Sequence, residues 1–430
     1  MEKKQDNKIG FIEAASIGIG GMVGGGIFAV LGLAVQLSQG GAPAAFLIAG
    51  IVALFTSYSY SKLSVAFPGK GGTVSFLDKA FGSGMFTGSM NILLWISYII
   101  MLSLYAFAFG SYGAELFPSL PHNLTKHLLI SGIVLIISVL NIFSAKLIGE
   151  AEDLIVALKL LILIFFCAIG FFGIEPKNLS VSSWSPALNL VAGGFIIFLA
   201  YEGFELIANT SDDVRNPEKT LPRAFYASVI FVIVLYILVA TVTVGNLPVN
   251  KIVEAKDYAL AIAAKPFLGQ FGFILISIAA LLSTTSAINA TLYGSARLSY
   301  IIAKDGELPR FLEDNIWNKP IEGLIITSVA TLIFANLFDL SSLSTMGSAG
   351  FLLIFACVNL SNAKLYKQTK SKIIISWIGA GLCFGALISL IWQTLNNSPS
   401  HLIILVSMIL ISVAIEGSFR LFSKRELNIS

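Results

Sequence analysis

Apolar runs long enough to cross a bilayer recur along this chain, and no other feature restricts its fold so much. A helix spanning the hydrocarbon core needs about 20 mostly apolar residues. Twelve stretches meet that need, at roughly 11–36, 42–66, 85–112, 127–145, 150–173, 187–209, 223–245, 268–299, 321–338, 341–363, 373–393 and 401–421. The ninth and tenth are split at Phe338-Asp339-Leu340-Ser341. Residues 373–415 carry no charge, and the polar segment NNSPSH divides them into two spans. Lipid offers the backbone no hydrogen bonds, so spans of this length read as helices. The expected fold class is therefore an all-α membrane protein with twelve transmembrane helices. Composition agrees, with 56% hydrophobic and 12% charged residues. A soluble protein of this size needs about twice that charge. The N-terminus, MEKKQDNKIGF, is short and basic, and the apolar run after it is too long for a signal-peptide core.

The positions of the cations orient the spans. With the N-terminus in the cytoplasm and spans alternating, Lys126, Lys177, Lys251, Lys256 and Lys265 fall on outer segments and Lys159 falls inside a span. The remaining Lys and Arg lie on cytoplasmic segments, a strong positive-inside bias. Both termini are expected in the cytoplasm, with residues 1–421 forming one integral membrane domain and 422–430 a cytoplasmic tail. The net charge of +3 is explained by this topology and calls for no nucleic-acid partner. Cys167, Cys357 and Cys383 sit in apolar stretches and read as core packing. His122, His127 and His401 form no cluster, and no P-loop, zinc spacing or nucleophile elbow occurs. An enzyme is not expected, nor a cofactor or metal. A channel would show a filter-like carbonyl motif or a charge ring, and a sensor or complex subunit would carry extra cytoplasmic domains.

Two spans look interrupted. The first contains GIGGMVGGGIF, and each glycine in a helix interior costs about 1 kcal/mol relative to Ala. Gly24, Gly25 and Gly26 mark an unwound point, or else close packing through small residues. The sixth contains FIIFLAYEGFELIA, where Glu202, Gly203 and Glu205 break an apolar run. Charges at membrane depth are costly and point to a function in the bundle interior. The other reading of Glu205 is an interface carboxylate near the cytoplasmic end. These two spans hold the same place in two five-helix halves, residues 10–173 and 187–363, and residues 373–421 supply two further helices. Paired interruptions of this kind indicate inverted repeats with a substrate site between them. A break exposes N–H groups on one half-helix, which suit a carboxylate, and C=O groups on the other, which suit an ammonium. An α-amino acid presents both groups.

Four stretches carry a family resemblance. They are GIGGMVGGGIF, FPGKGGTVSFLDKAFG, FLAYEGFELIANTSDDVRNPEKTLPRAF and the region from AAKPFLGQFGF through SARLSYIIAKDGELP. On these the sequence resembles amino acid permeases of the amino acid–polyamine–organocation superfamily, which have the LeuT-type 5+5 inverted-repeat fold. Within it, the chain looks closest to archaeal-type, proton-coupled, broad-specificity permeases, sharing a VALKLLIL pattern in the fifth span. The resemblance implies that the substrate carboxylate meets N–H groups around Gly24, Gly25 and Gly26. It implies carbonyls near Met22, Val23, Phe198 and Tyr201 for the amino group. The implied substrate-binding set is Met22, Val23, Gly24, Gly25, Gly26, Ile27, Phe198, Tyr201, Glu202 and Gly203. Glu205 matches an acidic family position, implying a gating role. Glu202 departs from the apolar residue expected there, and an exposed carboxylate at that point would favour a cationic side chain.

Lys159 stands alone among Leu, Ile and Phe, about 9 Å of helix from Asp153. One reading is a lysine snorkelling to the cytoplasmic interface. The resemblance implies another, in which its ammonium replaces the sodium ion bound by relatives of this fold. Carbonyls near Gly20 and hydroxyls such as Ser283 or Ser286 would then hold it. Such a lysine can take up and release a proton as the protein alternates. The expected function is secondary active uptake of amino acids across the plasma membrane by alternating access and proton-coupled symport. The alternative is an exchanger of amino acids or amines, a class that commonly lacks the fifth-span lysine. The expected partners are amino acid, protons and the lipid bilayer.

Overall fold

The computed structural model describes residues 8–143, 145–304, 306–308, 312, 320–397 and 399–422. The chain enters through α1 (Phe11–Met22) and α2 (Gly26–Ser38), two halves of one apolar stretch bent by 46° at a short break. It continues through α3 (Ala42–Ala66), α4 (Gly72–Phe81), α5 (Met85–Ala114), α6 (His122–Phe143) and α7 (Ala145–Gly170). Next comes α8 (Ala187–Ile196), followed by a tightly wound helix of 3₁₀ geometry over Phe198–Asp213. The rest comprises α9 (Pro217–Asn246), α10 (Val249–Glu254), α11 (Ala259–Lys304), α12 (Ile321–Leu337), α13 (Leu340–Lys364), α14 (Tyr366–Thr369), α15 (Ile373–Asn397) and α16 (Pro399–Phe422).

Each of the twelve apolar stretches carries a helix among the described residues. Among the described residues ten helices are long and apolar enough to cross a membrane, and the bent pair α1–α2 makes an eleventh if taken as one span. The remaining stretch is α12, apolar but shorter, with 17 residues. It parts from α13 where the sequence indicates. The Asp339 carboxylate accepts the Ser342 N–H at 2.9 Å, capping α13. The eighth stretch begins at a kink in α11, where Gly269 adopts φ 60°. Of the tail expected at the C-terminus, 423–430 lie outside the described residues.

α5 is the central post, buried along nearly its whole length and packed by α11, α13, α6, α12 and α16. The outer helices α6, α7, α15 and α16 turn large apolar side chains outward, among them Leu128, Leu161, Trp377, Ile388 and Leu410. An apolar girdle of that kind fits lipid, which makes the chain an integral membrane protein.

The tight helix lies directly against α1. A Cβ at Gly203 would overlap the Gly21 carbonyl carbon and the Met22 nitrogen, so only glycine permits this crossing. The two elements are joined again at their far ends. The Ile9 N–H donates to Asp213 O at 2.8 Å, and the Arg215 N–H donates to Ile9 O at 2.8 Å. Gly203→Ala is expected to destabilise the fold by about 1–3 kcal/mol, the usual cost of overpacking. The check is the thermal midpoint of the purified protein in detergent; an unchanged midpoint would mean that the crossing yields without strain.

Candidate functional site

The two interruptions differ in kind. In the first, Val23–Gly25 separate α1 from α2. Val23 N–H still reaches Ile19 O at 2.8 Å, and the α2 ladder starts with Ala29 N–H on Gly25 O at 2.9 Å. The N–H groups before Ala29 have no carbonyl one turn back, and the last α1 carbonyls have no N–H one turn on. The break therefore falls where the glycines indicate. A Cβ on Gly25 would overlap the Tyr105 ring, which packs against the exposed peptide.

The second interruption falls earlier than the sequence suggests. Regular α-helix ends at Ile196, before Glu202 and Gly203, and the chain tightens rather than unwinds. The cause lies on α13. Ser344 and Ser348 hydroxyls both donate to Ile196 O at 2.7 Å, and the Leu199 N–H donates to Ser348 Oγ at 3.1 Å. These serines satisfy the groups freed at the change of pitch.

Side chains from other helices hold the first break open. The Tyr236 hydroxyl, on α9, donates toward Met22 O at 2.6 Å and Ala200 O at 3.2 Å, and accepts from the Ile27 N–H. One phenol oxygen thus joins the C=O end of α1, the N–H end of α2 and the tight helix. The Ser283 hydroxyl, on α11, donates to Val23 O at 2.8 Å and to Gly24 O. Two of the carbonyls expected to meet a substrate ammonium, those of Met22 and Val23, already accept hydrogen bonds. Each keeps a second lone pair. Phe198 and Tyr201 are fully buried, with Tyr201 donating to Phe46 O at 2.9 Å.

Lys159 reaches the same break from α7. It is 1% exposed, and its Nζ donates to Gly20 O at 3.0 Å. This burial overturns the snorkelling reading: the ammonium ends on a backbone carbonyl inside the bundle. Gly20 is therefore a contact of Lys159 as expected, while Ser283 serves the carbonyls of the break. Ser286 is buried one turn along α11.

Glu205 is 2% exposed, which overturns its reading as an interface carboxylate. Its oxygens accept from Tyr60 at 2.9 Å, Thr73 at 3.0 Å and Tyr98, three hydroxyls from α3, α4 and α5. Glu202 is 3% exposed, so it is not the exposed carboxylate considered above. A cavity of about 620 Å³ runs from Lys70 and Arg297 at its mouth to Gly20, Gly21, Thr73 and Tyr98. Ser16 and Ile17 of α1 line it as well. None of the ten residues expected to bind substrate lines it. It stops at Gly21, one residue short of that set. On the far side α2 is buried, and Tyr112 donates to Phe28 O at 3.0 Å.

Comparison with known proteins gives a consistent picture. The model of a family described as amino acid permease matches residues 9–414. An uncharacterized protein of Methanocaldococcus jannaschii is 40% identical over 382 residues, covering 88% of each chain. The inner membrane transport protein YbaT of Escherichia coli is 30% identical over 418 residues, covering 96% of this chain and 97% of its own. The branched-chain amino acid permease BcaP of Lactococcus lactis is 28% identical over 385 residues, covering 82% and 80%.

Tyr236, Ser344 and Ser348 do not stand out in the sequence, since a tyrosine or serine in an apolar helix carries no spacing signal. Tyr236→Phe removes one oxygen and leaves buried backbone groups without their partner. It is expected to cost about 1–3 kcal/mol, read as a lower thermal midpoint in detergent at unchanged elution volume. A midpoint equal to wild type would show that those groups pair elsewhere.

Proposed function

From the premise that the chain belongs to the amino acid permease family, we propose that it takes up amino acids across the plasma membrane by proton-coupled symport. The observation that carries this reading is the buried Lys159 ammonium on the Gly20 carbonyl, one turn below the break in the first span. Protonated, Lys159 makes a charge-assisted hydrogen bond that ties α1 to α7. Deprotonated, it loses that charge and holds Gly20 far less tightly, which lets α1 move. A proton drives transport only through its different affinity for the two states, and a lysine that holds α1 in one of them meets that condition.

The substrate follows from the polarity of the break. The N–H groups at Gly24, Gly25, Gly26 and Ile27 favour a carboxylate, and carbonyls of Met22, Val23, Phe198 and Tyr201 favour an ammonium. In this reading the Tyr236 hydroxyl fills both roles while no substrate is bound, donating at one end and accepting at the other. The cavity that ends at Gly21 is the release path to the cytoplasm. Residues 10–173 and 187–363 act as the two repeats whose relative motion gives alternating access.

Reconstituted protein, given a labelled amino acid mixture, is expected to accumulate it under an inward proton gradient, and Lys159→Ala is expected to abolish that accumulation. Wild-type uptake that ignores the gradient but requires internal amino acid would mean exchange instead. Absence of any uptake would sink the transport reading altogether.

A further inference from the structure

We propose that the cavity ending at Gly21 holds a carboxylate site of its own, in which Lys70 and Arg297 receive the acid group of an amino acid on the cytoplasmic side of the break. The inference rests on the reading of this cavity as the release path, and not on proton coupling. The two cations reach the cavity from different elements, Lys70 from the turn between α3 and α4 and Arg297 from α11. Both are exposed, and among the described residues neither takes part in an ion pair. The Arg297 guanidinium lies over the Tyr293 ring at 5.6 Å. A ring face accepts no more than a share of its five N–H donors.

Orientation of the spans does not account for Arg297. Cytoplasmic loops carry Lys and Arg for that purpose. Arg297 instead stands about two turns inside α11, which ends at Lys304. Its chain neighbours Ala296 and Leu298 are buried.

Two side-chain amides add donors to the same lining. Asn289, on α11, is 7% exposed. Its Oδ1 accepts from the Asn141 amide of α6 at 2.8 Å, while its own amide N–H groups meet no protein acceptor among the described residues. Asn209, on the tight helix, also lines the cavity. A buried donor left without a partner is costly, so the place beside Asn289 suits an acceptor. No Asp or Glu is found among the lining residues. Behind Gly20 stands the ammonium of Lys159. A cleft lined by one sign of charge focuses its field and concentrates the opposite ion.

The ligand class follows from charge, donors and place. Cations and amides together suit an anion with several lone pairs, which a carboxylate supplies. The volume of about 620 Å³ falls within the usual range for small-molecule sites. An amino acid released from the break enters this space, and its carboxylate then meets Lys70 and Arg297 in place of the N–H groups it has left. An amino acid arriving from the cytoplasm meets the same pair first. The pair therefore sets affinity on the cytoplasmic face more than on the outer one.

The test compares everted with right-side-out membrane vesicles, which take up labelled amino acid from the cytoplasmic and the outer face respectively. The readout is the ratio of the half-saturating concentrations on the two faces, measured at low salt because exposed cations are screened. Replacing both cations, Lys70→Gln with Arg297→Gln, is expected to raise that ratio, inner over outer, about tenfold. A ratio equal to wild type overturns the proposal. A second measurement needs no variant. In everted wild-type vesicles, pyruvate is expected to inhibit uptake of the labelled amino acid mixture, and ethylamine at equal ionic strength is not. Inhibition by inorganic phosphate without inhibition by pyruvate would mean a general anion site and overturns the proposal. So does pyruvate inhibition of equal strength on the outer face, which would place the carboxylate at the break itself. Wild-type vesicles that take up nothing from either face overturn the transport reading together with this one.

Discussion

Backbone groups inside a bilayer have no water to turn to, and the interior of this protein is organised around that fact. An unbroken helix satisfies its own peptides. Where α1 stops at Met22 and α2 starts at Gly26, the freed groups must find partners on other helices. Tyr236 from α9, Ser283 from α11 and Lys159 from α7 supply them. At the second change of pitch Ser344 and Ser348 from α13 do the same. These partners come from four helices, so the positions of α7, α9, α11 and α13 all depend on peptides left open by α1 and the tight helix. The polar groups that could bind a zwitterion are the same ones that hold the bundle together when none is bound.

Much of this is legible in the sequence, for physical reasons that can be named. Length and apolarity are sufficient signals for a helix in lipid, so every apolar stretch carries a helix. The first break is visible because three consecutive glycines are expensive in a helix. The second is displaced from its expected place because Glu202 and Glu205 are conspicuous while Ile196 and Ile197 are not. Its cause lies on α13, more than a hundred residues away in the chain, where no local pattern can show it. The sequence allows Lys159 to be either an interface residue or a ligand of Gly20, and only its burial decides between them. The partnership of Glu205 with Tyr60, Thr73 and Tyr98 is likewise hidden, since Glu205 lies 107 or more residues along the chain from all three.

Two charged side chains inside the bundle are held by polar groups. Lys159 and Glu205 lie in the interior, and each meets polar groups of other helices. A carbonyl receives the lysine and three hydroxyls receive the carboxylate.

The double attachment of α1 to the tight helix has a consequence for leakage. Fused at Gly21 and Gly203, and stitched again where Ile9 lies between Asp213 and Arg215, the two elements form a single stiff panel on one side of the cavity. A panel fixed at both ends cannot peel open from one corner. It swings as a whole or stays shut, which leaves no partly opened crevice through which small ions slip. Backbone contacts at two levels thus leave no seam between α1 and the tight helix for an ion to follow.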